Sequence, residues 1–167
     1  MNKIQGSYQK FREQFQKEKI DFVLLDNDPA HIERIADIML SINSGYILPS
    51  NDEERLRLYY KKLIDHAYNF VLVHENQDIG ILSIYANDFQ SKTAYTSTIG
   101  IVPSFRGGKI APYLVRFGLQ FAKEIGMKIY KAEIDKENVK WLAFLTRYGF
   151  QIERETNNQS FIITRDL

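Results

Sequence analysis

The sequence contains no cysteine. Disulfides, thiolate metal sites and a cysteine nucleophile are therefore excluded, and a reducing compartment suits the chain. No apolar run is long enough to span a bilayer, and the polar N-terminus, MNKIQGSYQKFREQFQKEK, has no stretch of signal-peptide length. A cytoplasmic protein with no membrane partner is the expectation. An excess of one charge sign is missing too: 22 Lys and Arg stand against 21 Asp and Glu, a formal net charge of +1. That leaves no electrostatic footprint for nucleic acid. The three histidines, His31, His66 and His74, do not fall at metal-ligand spacing, so no metal is expected. Neither a Gly-x-Ser-x-Gly nor a Walker lysine motif occurs.

What is present is the material of one domain: 167 residues, of which 44% are hydrophobic and 26% charged. No repeat, low-complexity tract or linker divides it. Residues 1–19 form a polar helical extension ahead of a single domain at 20–167. In that extension Ile4, Tyr8, Phe11 and Phe15 recur at helical spacing and share a face. The face either packs on its own domain or docks a second subunit, which would make a homodimer.

Phe22–Leu25 reads as a buried strand. Asp28 and Pro29 then open a helix over residues 30–42, which Ser44-Gly45 ends. Ser50-Asn51 caps a second helix whose first turn is acidic and which runs to His66. The period then changes to that of strands. Phe70–His74 and Ile79–Tyr85 are joined by a turn at Asn76-Gln77-Asp78, and Thr93–Val102 follows. A helix stopped by Gly126, a strand at Lys128–Ile134, a helix at Asn138–Tyr148 and the strands Phe150–Arg154 and Ser160–Thr164 complete the chain. The order β-α-α-β-β-β-α-β-α-β-β predicts an α/β (α+β) fold, a mixed sheet with helices on its faces.

Chemistry concentrates in two segments. Ile101-Val-Pro103-Ser-Phe-Arg106-Gly107-Gly108-Lys109-Ile110-Ala111 sits between a strand and a helix. A helix start presents unpaired N–H groups and the positive end of a macrodipole. Glycines let those groups approach an anion closely, so the segment reads as a phosphate cradle, or else as a flexible turn with no ligand. Downstream lies Asn138-Val-Lys-Trp141-Leu-Ala-Phe144-Leu145-Thr-Arg147-Tyr148-Gly149-Phe150. On its own residues, Asn138 reads as a helix N-cap and Gly149-Phe150 as a helix stop followed by a core aromatic.

The two segments together resemble motifs of the GNAT superfamily of N-acetyltransferases. Pro103, Arg106 and Ala111 match the Pro, Arg/Gln and final small positions of that family's pyrophosphate loop. The second segment matches its C-terminal motif without a gap. Two positions depart: the family's usual glycine falls on Lys109, which fits if Lys109 has helical φ, and the usual Tyr falls on Leu145. The resemblance implies a GNAT-like, mostly antiparallel sheet of about seven strands with helices on both faces. It assigns the binding of acetyl-CoA or another short acyl-CoA to Ile99, Gly100 and Ile101, to Arg106, Gly107, Gly108, Lys109, Ile110, Ala111 and Pro112, and to Asn138 and Leu145. Pro112 carries no N–H and so donates nothing to a phosphate.

The implied activity is transfer of an acetyl or short acyl group to a primary amine on a small molecule, peptide or protein. The alternative is an acyl-CoA-binding module of the same fold with weak or no turnover, a reading that Leu145 motivates. For catalysis, Glu133 falls where some relatives carry a catalytic Glu, and it reads otherwise as a solvated edge carboxylate. Tyr148 is a substitute acid for the missing phenol, or a packed aromatic. Tyr95 and Thr98 are further polar candidates, and a backbone N–H near Ile101 would meet the oxyanion. The resemblance assigns the acceptor wall to Ile42–Asn51, with Asn43 and Tyr46 in it.

Overall fold

The computed structural model describes residues 5–42 and 51–167. The elements are α1 (Gln5–Lys17), β1 (Asp21–Leu24), α2 (His31–Ile42), α3 (Glu53–His66), β2 (Tyr68–His74), β3 (Gln77–Asp88), β4 (Thr93–Ile101), α4 (Ile110–Ile125), β5 (Ile129–Asp135), α5 (Val139–Arg147), β6 (Gln151–Glu155) and β7 (Ser160–Asp166). A single 3-10 turn, Pro103–Phe105, precedes α4. This is the expected element order. Asn43, Tyr46, the Ser44-Gly45 stop and Ile4 lie outside the described residues.

The seven strands form one sheet in the order β1-β2-β3-β4-β5-β7-β6. Every pairing is antiparallel except β4 with β5. Strands buried on both faces carry unbroken apolar runs, and side chains two apart share a face. In β2, Phe70 and Leu72 enter one core cluster while Val71 enters the other; in β3, Leu82 and Ile84 oppose Ile81 in the same way. Helices α2 and α3 cover the second face through Ile35, Ile38, Met39, Leu63 and Ile64. Residues of α1, α4 and α5 join the first.

Two local expectations are corrected. The cap of α3 is Asp52, not Ser50 or Asn51: its carboxylate accepts from the Glu54 N–H at 3.0 Å and the Arg55 N–H at 3.3 Å. The hairpin turns at Glu75-Asn76, one residue earlier than its polar residues suggest. Both take left-handed φ, 49° and 63°, and His74 already pairs with Gln77. A two-residue turn of that hand matches the strand twist.

Helix α1 packs within its own chain. Phe11 and Phe15 are buried among Phe22, Phe70 and Phe117, with ring centroids 4.9 Å apart for Phe15–Phe22 and Phe22–Phe117. Tyr8 adds a polar tie. Its hydroxyl donates to the Phe22 carbonyl at 2.9 Å and accepts from the Leu24 N–H at 3.1 Å. Those groups belong to the outer strand of the sheet, so the tyrosine blunts an open edge.

Because Phe15 is completely buried, Phe15→Ala should cost about 3–5 kcal/mol of unfolding free energy. Urea denaturation of the two proteins measures the difference. A loss below about 1 kcal/mol would show that α1 is not part of the cooperative core.

Candidate functional site

Strands β4 and β5 pair for only four residues, Thr93–Thr96 against Ile129–Ala132. Both continue beyond that point, β4 to Ile101 and β5 to Asp135, without further pairing. The divergence coincides with a bulge. Thr98 pairs with Ser83 and Thr96 with Ile84, so Ser97 is the extra residue on β4. A bulge bends its strand and increases the local twist. Here it carries the end of β4 away from β5, while Ile99, Gly100 and Ile101 stay paired to β3.

The opening is a cavity of about 610 Å³. Ile99 on β4 and Ala132, Glu133, Ile134 and Asp135 on β5 form its strand walls. Leu114 and Val115 of α4 close one side, and Asn138, Trp141 and Leu145 of α5 another. Leu145 is buried at 5% exposure. The α5 residues lie three and four apart, on a single helix face.

Helix α4 links the cavity to the glycine loop. Gly107 has φ +84°, which favours glycine, and a Cβ placed on Gly107 or Gly108 would meet nothing within 4 Å. Lys109 has φ −83° and ψ −10°, helical values that any residue adopts, so a lysine fits where a glycine was expected. The first helical bond runs from the Tyr113 N–H to the Lys109 carbonyl at 3.0 Å. No side chain caps this helix start among the described residues. Ile110 and Ala111 lie one turn before Leu114 and Val115, a rise of about 5.4 Å. The loop and the cavity thus lie along one helix face.

Arg106 is occupied differently. Its Nε donates to the Ile101 carbonyl and its Nη2 to the Ile42 carbonyl, each at 2.8 Å. Asn138 is the N-cap of α5, accepting from the Trp141 N–H at 3.4 Å, and it faces the cavity as well. Tyr148 is not among the cavity-lining residues; it ends α5 with its ring 5.0 Å from that of Phe144.

The other end of the cavity is polar. Ser160 donates to the Glu133 carboxylate. Tyr95, near the Glu133 carboxylate, has its phenol pushed up to about 12, first by burial and then by the carboxylate's negative charge. The Tyr59 hydroxyl reaches over from α3 to Ser97 Oγ at 2.9 Å and Thr98 Oγ1 at 2.8 Å. Deeper in, the buried Tyr130 hydroxyl pairs with Thr96 at 2.6 Å, and burial raises its pKa. A Cβ on Gly118 of α4 would fall 2.7 Å from that hydroxyl, so the glycine makes room for it.

Tyr59, Tyr130, Trp141, Asn158 and Ser160 are lining residues that sequence reading missed. No local pattern marks them, because they come from separate elements and converge only in the folded chain. Among the described residues, no His, Asp or Glu cluster suits a metal ion, and no helix is long and apolar enough to cross a membrane.

A family model described as the acetyltransferase (GNAT) family matches residues 32–150. Solved structures resemble the whole fold. An IAA acetyltransferase from Bacillus cereus ATCC 14579 superimposes with a TM-score of 0.62 at 15% identity, covering 89% of this chain and 99% of that one. A GNAT family acetyltransferase from Elizabethkingia anophelis, solved with acetyl-CoA bound, gives 0.61 at 15% identity over 89% and 99%. Arabidopsis thaliana Naa50, in complex with the bisubstrate analogue CoA-Ac-MVNAL, gives 0.69 at 12% identity over 89% and 99%. Likeness at these identities is likeness of fold. No curated protein sequence matches the chain significantly.

The Tyr95 environment is testable by titration. A raised phenol pKa contributes stability that is complete below the ordinary value near 10 and disappears as pH rises towards 12. The ultraviolet difference between the unaltered protein and Tyr95→Phe should show a phenol still largely neutral at about pH 11. Glu133→Gln removes the adjacent negative charge and should lower the midpoint. A Tyr95 midpoint near 10 in the folded protein contradicts the contact.

Proposed function

The chain belongs to the acetyltransferase (GNAT) family, and on that premise we propose that it moves an acetyl or other short acyl group from acyl-CoA to a primary amine. The observation that carries this reading is the cleft between β4 and β5, which opens beside an uncapped helix start. In the proposal, Gly107, Gly108, Lys109, Ile110 and Ala111 hold the pyrophosphate through backbone N–H groups and the helix dipole. Ile99, Gly100, Ile101, Asn138 and Leu145 flank the thioester arm. The amine approaches from the polar end, on a small molecule or a peptide, and the reaction is cytoplasmic.

Acyl transfer needs a neutral amine, a stabilised oxyanion and a proton for the departing thiolate. Glu133 is the proposed proton acceptor, directly or through a water. A hydrogen bond from Ser160 holds the carboxylate in place. A backbone N–H near Ile101, on the edge that β5 leaves uncovered, is the proposed oxyanion donor. Leu145 offers no proton at the place where the family commonly has a phenol. Tyr148 is the proposed substitute on its own helix, though it reaches the cavity only if the end of α5 shifts.

A second reading, an acyl-CoA binder with little turnover, is favoured by the buried apolar Leu145 itself. Consumption of acetyl-CoA with a panel of primary amines separates the two. Thioester loss above the solvent rate identifies the enzyme, and tight binding without it identifies the binder.

Two mutations test the site. Acetyl-CoA should bind and raise the melting temperature, and Gly108→Asp should remove that shift while leaving the protein folded. Gly108 is the better position because, unlike Gly107, it has no left-handed φ to strain a new side chain. A carboxylate about 5 Å from a phosphate is repelled by roughly 1–3 kcal/mol, enough for about a tenfold loss of affinity. Calorimetry showing full affinity in the folded variant would place the phosphates elsewhere.

Leu145→Tyr restores the family's phenol and should raise the acyl-transfer rate by about 10- to 100-fold if thiolate protonation limits turnover. Tyr is larger than Leu, and where its ring does not extend into the cavity, overpacking should cost about 1–3 kcal/mol. Rate and stability are therefore measured together. An unchanged rate in a stable variant means that the thiolate takes its proton another way.

A further inference from the structure

We infer that Arg106 is a positioning residue that ties the glycine loop to the carbonyl end of α2, rather than a ligand of the phosphates. This rests on the acyltransferase reading above. In a cradle for pyrophosphate, an arginine at the loop's entrance invites assignment as the counter-charge. Its contacts point elsewhere.

The Arg106 N–H closes the 3-10 turn onto the Pro103 carbonyl at 3.2 Å. Its side chain then folds back across the strand end. Nε meets the Ile101 carbonyl, and Nη2 meets the Ile42 carbonyl, both at 2.8 Å. Ile42 is the last described residue of α2. The final carbonyls of a helix have no partner within it and carry the negative end of its dipole, so a guanidinium both satisfies and neutralises them.

The same residue is held from a second direction. A Cβ on Gly100 would lie 2.8 Å from both Cδ1 and Cγ2 of Ile42, so the isoleucine side chain rests directly on the backbone of β4. Ile42 is thus seated by Gly100 through its side chain and by Arg106 through its carbonyl. Arg106 is followed immediately by Gly107 of the loop. A ligand that settles the loop settles Arg106, and Arg106 settles the end of α2. The consequence is that acyl-CoA binding is felt at the end of α2 through one side chain.

Lysine discriminates between the two roles. It keeps a point charge, which is sufficient for a phosphate, but lacks the planar fork that spans two carbonyls. The experiment compares the unaltered chain with Arg106→Lys and Arg106→Ala. It measures acetyl-CoA affinity by calorimetry and amide hydrogen exchange with and without acetyl-CoA. In the unaltered protein, acetyl-CoA should slow exchange in the glycine loop and in the last turn of α2. In both variants loop protection should remain, affinity should stay within about threefold, and protection of α2 should be lost. The inference is overturned if Arg106→Ala loses about tenfold or more in affinity while Arg106→Lys keeps it, the pattern of a phosphate ligand. It is also overturned if protection of α2 survives in both variants. Should Arg106→Ala not fold, Arg106→Lys alone decides through the exchange of α2. An unaltered protein that fails to bind acetyl-CoA at all overturns the acyltransferase reading, and this inference falls with it.

Discussion

The site depends on where two strands stop pairing. Parallel neighbours normally continue together, because each added residue satisfies backbone groups on both chains. Here the partnership of β4 and β5 ends after Thr96 and Ala132, where Ser97 is inserted as a bulge. The sheet survives because β4 keeps its antiparallel bonds to β3, and β5 keeps its own to β7. An opening of this kind would collapse in a sheet lacking such outer support. It stays open because the pairing on either side is long and the two faces are covered by separate packed layers.

Helix α4 uses that opening at several points along its length. Its start, beside Gly107 and Gly108, has no side-chain cap among the described residues, its second turn lines the cavity with Leu114 and Val115, and its middle leaves space at Gly118 for the Tyr130 hydroxyl. Phe117 and Phe121 anchor it against Phe70, with centroids 4.7 and 5.1 Å from that ring. The helix is therefore fixed by aromatic packing on the face that also receives α1. Its N-terminus is held in position by a core on which the N-terminal residues also depend.

The cavity divides chemically along its walls. Near α4 and α5 it is mainly apolar, suited to an extended arm rather than to charge. Around Tyr59, Tyr95, Glu133 and Ser160 it carries several hydroxyls, one of which, Ser160, bonds the Glu133 carboxylate. Hydroxyls can donate or accept, so such a set holds a carboxylate in place without neutralising it. In the proposed function, this is where the proton of an incoming amine would be taken.

Much of this was legible in the sequence, for a physical reason. Helix and strand periods, the Gly126 stop and the glycine loop are local properties of a few consecutive residues, and so is the likeness of 101–111 and 138–150 to a family pattern. The apolar face of Tyr8, Phe11 and Phe15 was legible as a face, but whether it met its own chain or another was a tertiary question, settled by Phe22, Phe70 and Phe117. Tertiary structure alone decided the bulge at Ser97, which depends on register with β3. It alone brought Tyr59 to Ser97 and Ser160 to Glu133, residues 38 and 27 positions apart. It also turned Arg106 towards the end of α2, 64 residues away. A side chain's type and neighbours in sequence set what it can bind; the direction of its reach is set by elements packed across the sheet, and no short window of sequence contains them.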